Sequence, residues 1–284
     1  MGVGMNERRM VAGLAMADWG PATGSPVVLA LHGLTSTSEV WSAMAGALPN
    51  MRVVAPDLPG RAGSVSVPIG PGRAGHAQAV LRLADELQLH DIIVVGHSMG
   101  AFLAPLVAAK LGDRARSVIM LDGGVAPART LMLRRPIVRM LFGAATRRLD
   151  RKWPTVEKYV ATAEGKAADN RPDLHQVMLA WGAYMLAGPP GAQRPRLDRE
   201  RLIDDAADTL AGPATLSALS RTSQPVHLIA ASRGAHDDAA PFLSDAALEA
   251  GQAQLQRLTI ERADANHLTL LFDPSVPAAV ARAS

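Results

Sequence analysis

The sequence contains no cysteine, and that single absence closes several routes at once. Disulfides, thiolate metal sites and cysteine nucleophiles are all excluded. No apolar run approaches the ~20 residues that a membrane-spanning helix requires, so stable membrane insertion is not expected. The opening MGVGMNERRM lacks the apolar core of a secretory signal. Asn6 stands where a myristoylation signal needs Ser or Thr, and a cytoplasmic location is the expectation. Charge of one sign is scarce too: 29 Lys and Arg against 26 Asp and Glu leave a net +3, too little for a nucleic-acid-binding chain. The basic residues between Arg129 and Lys152 are interrupted only by Asp150, and such a run reads as a solvated helix face. No His, Asp or Glu spacing suggests a metal site, and no phosphate loop or dinucleotide fingerprint occurs. Chemistry is therefore expected from side chains alone, with no cofactor and no metal.

What is present is the material of a globular chain: 284 residues, 48% hydrophobic and 19% charged, enough for one sizeable core or a core with an insertion. Short runs rich in Val and Ile recur as PVVLALHG (26–33), MRVVAPD (51–57), DIIVVGH (91–97), SVIMLDGG (117–124) and PVHLIAAS (225–232), with LQRLTIERA (255–263) weaker. Runs without polar alternation suit strands buried on both faces, hence a parallel sheet. Residues 76–89 and 99–111 carry Ala and Leu at helical spacing, so strands alternate with helices in an α/β fold. The opening RRMVAGLAMADWGP predicts one or two antiparallel edge strands. Between Gly124 and Gln224 the rhythm breaks. No convincing strand occurs there, while LMLRRPIVRMLFGAATRRL, WPTVEKYVATAEGKA and DLHQVMLAWGAYMLAG are helical in period. Both tyrosines, Tyr159 and Tyr184, lie in this stretch with Trp153 and Trp181. Residues 125–223 are accordingly expected to form a helical cap inserted into a core made of 1–124 and 224–284.

Within DIIVVGHSMGAF, Ser98 falls where a buried strand turns into a helix, flanked two residues away on either side by Gly96 and Gly100. A nucleophile projecting from such a turn adopts a strained backbone that only small neighbours tolerate. The helix that follows points its free N–H groups at the serine, which favours negative charge there. Ser98 is the candidate nucleophile.

On these residues the chain resembles the α/β-hydrolase superfamily: LALHGLTSTSEVW, VVAPDLPGRAGS, VVGHSMGAF, VIMLDGG and ANHLTLLFDP stand in the family's order. More narrowly it is similar to an actinobacterial-type group of lidded, esterase-like serine hydrolases. The resemblance implies a mainly parallel eight-stranded sheet, helices on both faces, and a lid. It also implies that the backbone N–H groups of Leu34, after His32-Gly33, and of Met99, after the nucleophile, form the oxyanion hole, with the Thr35 hydroxyl nearby. The chain order Ser, acid, His points to His267 as the base. Asn266 precedes it where the family more often has glycine. His32 and His97 flank the site, and His76, His90, His175, His227 and His236 lie elsewhere. For the acid, the family's usual spacing from the proline that opens the post-cap strand, here Pro225, lands on Gly234, which has no carboxylate. The same loop offers Asp237 and Asp238; Asp122, at the end of the preceding strand, is the alternative. Asp237 is preferred. Asp57 and Asp273 match positions that shape turns.

The expected activity is cofactor-free hydrolysis of carboxylic esters through an acyl-enzyme on Ser98, with an apolar small molecule as substrate. Serine at position 98 argues against haloalkane dehalogenases and epoxide hydrolases, which use an aspartate. Lactone or thioester cleavage would use the same residues. The alternative of another class is a ligand-binding protein of slow or no turnover on a hydrolase scaffold.

Overall fold

In the computed structural model, which describes residues 8–23, 26–70, 72–125, 136–137, 140, 146–165, 171–211, 219–234, 240–255 and 257–284, the apolar runs become strands of one sheet. β1 (Arg9–Val11) and β2 (Leu14–Trp19) form the expected edge hairpin. β3 (Val27–Leu31), β4 (Arg52–Pro56), β5 (Ile92–His97) and β6 (Ala115–Leu121) follow. A short pair, β7 (Leu186–Ala187) and β8 (Arg194–Pro195), stands apart, and β9 (Val226–Ala231) and β10 (Leu258–Ala263) complete the large sheet. Its eight strands run in the order β1-β2-β4-β3-β5-β6-β9-β10. From β4 to β10 all pairings are parallel, and only the β1 and β2 edge is antiparallel.

The absence of polar alternation in the central strands has a direct cause. Every residue of β3 and β5 is buried. Leu29, Leu31, Ile92 and Val94 pack into one layer with α2 (Gly72–Glu86) and α3 (Met99–Leu111). Val28, Ala30, Ile93 and Val95 face the opposite layer with α1 (Ser42–Ala47) and α8 (Ser275–Ala283). Each of these Val, Leu and Ile side chains contributes about 1.5–3 kcal/mol when taken out of water. α3 lies against β5 and β6 and is buried almost all round, as its apolar sequence requires. α2 differs from the periodicity at both ends. It begins at Gly72 and stops at Glu86 instead of spanning 76–89, because Gln88 takes φ +52° and cannot continue a right-handed helix.

Between β6 and β9 the chain contributes α4 (Val156–Glu164), α5 (Pro172–Met185) and α6 (Arg199–Ala211). Tyr159 stacks on Trp181 at 5.1 Å and meets Trp153 edge-on at 5.3 Å. Gly182 lets α4 and α5 approach closely, since a Cβ there would lie 2.4 Å from Val160. The expectation of no strand in this segment needs correction: the turn-forming GPPGAQ closes the small β7–β8 hairpin. α6 is a further helix that no expectation covered. Most of LMLRRPIVRMLFGAATRRL, where a helix was expected, and with it most of the basic run, lies outside the described residues, and its last residues from Thr146 form a short 3-10 turn that runs to Asp150. α7 (Asp245–Gln254) links β9 to β10. No helix among the described residues is long and apolar enough to cross a membrane.

Candidate active site

Strand β5 ends at His97 and α3 begins at Met99, which leaves Ser98 alone to make the turn. It does so at φ +54°, ψ −119°, a conformation that costs a non-glycine residue on the order of 1–3 kcal/mol. The two glycines make this possible. A Cβ on Gly96 would sit 2.1 Å from the carbonyl oxygen of Gly100, and one on Gly100 would sit 2.0 Å from that of Leu31. The Ser98 N–H donates to the carbonyl of Leu121 at 2.9 Å, tying the turn to the end of β6.

The same strand end carries Asp122. It too has positive φ, at +44°, and its side chain is fully buried. One carboxylate oxygen accepts from the Ala231 N–H at 3.2 Å, and the other lies 2.6 Å from Nδ1 of His267. His267 follows β10 in a turn that Asn266 organises. The Asn266 side-chain oxygen accepts the N–H groups of Leu268 and Thr269 at 3.0 and 2.7 Å, capping the short turn that follows. An asparagine thus does with its side chain what a glycine would leave to backbone freedom. His97 holds the other side: its Nε2–H donates to the His267 carbonyl at 2.8 Å, and the two rings lie 4.6 Å apart. Asp237 and Asp238 lie outside the described residues; the carboxylate found on His267 is that of Asp122.

The loop after β3 comes up against Ser98. Gly33 is so near that a Cβ would lie 3.2 Å from the serine Cβ. His32 fixes this loop, accepting the Leu58 N–H on Nε2 and donating from Nδ1 to the Gly33 carbonyl, both at 2.8 Å. Burial drives its pKa down to about 3, so the ring is neutral at neutral pH. Burial also lowers the pKa values of His76 and, more strongly, His97. All three have folded-state values below the unfolded value, so the unfolded chain takes up protons first. Their stabilisation is complete above about pH 6.5 and is lost as the pH falls below it. For His32 alone the loss by pH 5.5 is about 1.4 kcal/mol, and His76 and His97 add in the same direction. Urea unfolding at pH 7.5 and 5.5 should show a drop of at least that size; equal stabilities would contradict it.

Ser98, His267, Leu34 and Met99 all line one cavity of about 570 Å³, a size suited to a small organic ligand. Most of the remaining wall is apolar, with Val40, Phe102 and Leu271 joined by Met178, Trp181 and Leu210 from α5 and α6. Phe242 stands at the rim with its ring 5.2 Å from that of His267. Thr35 also reaches the cavity wall, as do Thr162 and Thr209. No Asp, Glu, Lys or Arg is among the described lining residues. Nor do three His, Asp or Glu side chains converge as metal ligands would among the described residues. Asp57 and Asp273 shape turns as expected: Asp57 accepts the N–H groups of Ser38 and Gly63 and the Tyr184 hydroxyl, and Asp273 accepts the Ser275 N–H.

Sequence reasoning passed over Arg61, His76 and Asp205, which form a buried cluster behind Leu34 and Met99. The only trace of it was an arginine inside the glycine-rich DLPGRAGS, and nothing in one sequence pairs that residue with an aspartate on α6.

Comparison with known proteins supports the fold and the family. Lipase LipV of Mycobacterium tuberculosis is 30% identical over 126 residues, 41% of this chain and 44% of the lipase, so the likeness covers under half of that protein. The magnesium-chelatase 30 kDa subunit of Rhodobacter capsulatus is 28% identical over 264 residues, 88% of this chain and 83% of that one. The solved E-2-(acetamidomethylene)succinate hydrolase superposes with a TM-score of 0.76 over 98% of both chains at 20% identity, a likeness of fold. A sequence model described as the alpha/beta hydrolase family matches residues 27–283. Matched from the first residue of β3 to the last of α8, the chain belongs to the alpha/beta hydrolase family.

Proposed function

We infer that the protein is a serine hydrolase that cleaves carboxylic esters, with Ser98 as nucleophile, His267 as base and Asp122 as the acid behind it. One observation carries this reading: a strained Ser98 and a His267 already bound to a buried carboxylate line the same cavity. Nδ1 of His267 is occupied by Asp122, so its Nε2 is left to take the serine proton as Oγ attacks the ester carbonyl. The Leu34 and Met99 N–H groups receive the oxyanion, and such donors are worth about 10²–10³ in rate each. The tetrahedral intermediate collapses, His267 returns the proton to the departing alcohol, and the acyl group remains on Ser98. A water that gives its proton to His267 then releases the acid and restores the serine. The uncharged, largely apolar walls favour a neutral ester with an apolar acyl or alcohol part. Residues 125–223 act as the cap, roofing the acyl site with α4, α5 and α6.

A fluorophosphonate probe should modify Ser98, located by peptide mapping, and p-nitrophenyl butyrate should be hydrolysed through many turnovers. Absence of label on Ser98 would overturn the reading. Labelling with release of only one equivalent of nitrophenol would instead identify a slow-turnover ligand-binding protein.

A further inference from the structure

The Arg61 side chain is wholly buried, and so is its partner Asp205 on α6, 2.5 Å away. An ion pair so enclosed rarely stabilises a fold more than apolar residues of similar volume would, so its other contacts are informative. Arg61 donates from Nε to the Leu34 carbonyl at 3.0 Å and from Nη1 to the Pro59 carbonyl at 2.8 Å, and its Nη2 lies 3.7 Å from Sδ of Met99. Leu34 and Met99 are the two residues whose backbone N–H groups are assigned to the oxyanion. One guanidinium therefore touches both of them from behind.

The pair also ties this arrangement to the helix that roofs the cavity. Asp205 accepts from His76 Nε2 at 2.8 Å, and one turn away Asp208 accepts from the backbone and side chain of Arg73, both partners belonging to α2. The loop that carries Arg61 is stitched to the segment leading into α6 as well. The Ala62 N–H donates to the Arg196 carbonyl at 2.7 Å, and the Asp198 N–H to that of Gly60 at 2.9 Å. α6 in turn contributes Ala206, Thr209 and Leu210 to the cavity.

We propose that Arg61 is a positioning residue that sets the Leu34 backbone for oxyanion binding, and that Asp205 makes this setting depend on the seating of α6. The proposal rests on the esterase reading. The guanidinium fork suits the task because it reaches several acceptors at once with fixed geometry, which a lysine cannot do. Displacement of α6 would release Asp205 and, through Arg61, the carbonyl of Leu34. Oxyanion stabilisation is then complete only when the roof is in place.

The test compares Arg61→Met, Arg61→Lys and the double variant Arg61→Met/Asp205→Leu with wild type on p-nitrophenyl butyrate. Alongside, inhibition by an aryl trifluoromethyl ketone is measured, since its serine adduct carries the oxyanion. Arg61→Met should lower kcat about 10²-fold, the effect of misplacing a group by ~1 Å, with KM within about threefold. The inhibition constant of the ketone should rise in proportion to the loss of kcat/KM, as for any adduct that mimics the transition state. The double variant, freed of a lone buried carboxylate, should regain thermal stability without regaining kcat. Arg61→Lys retains the stem and charge and should fold in every case, with an intermediate kcat. A folded Arg61 variant with kcat and ketone affinity within about threefold of wild type would overturn the proposal, as would a double variant that recovers both. A wild type that turns over no ester would overturn the esterase reading instead, so the two failures are distinct.

Discussion

Replacing Asp122 by asparagine should lower kcat by about 10⁴ with little change in KM, whereas Asp237→Asn should leave kcat within about threefold. The reason lies in the tautomer of His267. A carboxylate 2.6 Å from Nδ1 requires the proton on that nitrogen and leaves Nε2 free to accept one. An amide of the same shape can turn its NH₂ group to Nδ1, which moves the ring proton to Nε2 and removes the base. Binding is untouched, because Asp122 is fully buried and absent from the cavity wall. The imidazolium formed in the transition state would also lose its counter-charge, a carboxylate that is fully buried and so weakly screened. Steady-state kinetics on a p-nitrophenyl ester, with circular dichroism to confirm folding, decides the matter. If Asp237→Asn carries the large loss and Asp122→Asn does not, the acid belongs to the loop after β9.

That the sequence left the acid open between Asp237 or Asp238 after β9 and Asp122 after β6 has a physical cause. β6 and β9 are neighbours in the sheet, paired in parallel from Val118 with Val226 to Leu121 with Ile229. Their carboxyl ends therefore open side by side, about 4.8 Å apart, and an acid at the end of either strand can reach a histidine that follows β10. Spacing along the chain did not make that choice, since the usual offset from Pro225 lands on Gly234. In the structure the turn at Asp122, whose φ is positive, brings its carboxylate to His267 while the Ala231 N–H holds the other oxygen. The strained turn at Ser98, by contrast, was legible because the demand on its neighbours is local: two glycines at fixed offsets, a buried strand before, a helix after. The sheet was legible for a similar reason, since strands covered on both faces have no polar alternation to confuse. α6 escaped notice because charged residues crowd its sequence, RERLIDDAADTL, which reads as a solvated helix. Asp205 on that helix is nonetheless buried, since its partners Arg61 and His76 come from elements more than a hundred residues earlier.

Ser98→Ala and His267→Ala should each lower kcat by about 10⁶, and the double variant should lose no more than either alone. The expectation follows from treating the two side chains as one device. A serine hydroxyl without a base is a poor nucleophile, and a base without the hydroxyl has only water to activate, in a position arranged for something else. Removing either member removes the whole advantage, and a second deletion finds nothing left to remove. A residual rate about 10³–10⁴ above that in water should persist in all three variants, because the N–H groups assigned at Leu34 and Met99 would still receive the developing oxyanion and the apolar cavity would still bind the substrate. The geometry makes the converse informative. Ser98 is held by the strained turn between β5 and α3, and His267 by Asn266, His97 and Asp122; neither placement depends on the other. If the losses multiplied in the double variant, the two groups would be contributing independently, and the proton path from Oγ to Nε2 would have to be abandoned. Single-turnover and steady-state rates of the four proteins on one p-nitrophenyl ester distinguish the outcomes. Losses that fail to multiply would mark Ser98 and His267 as a single catalytic unit.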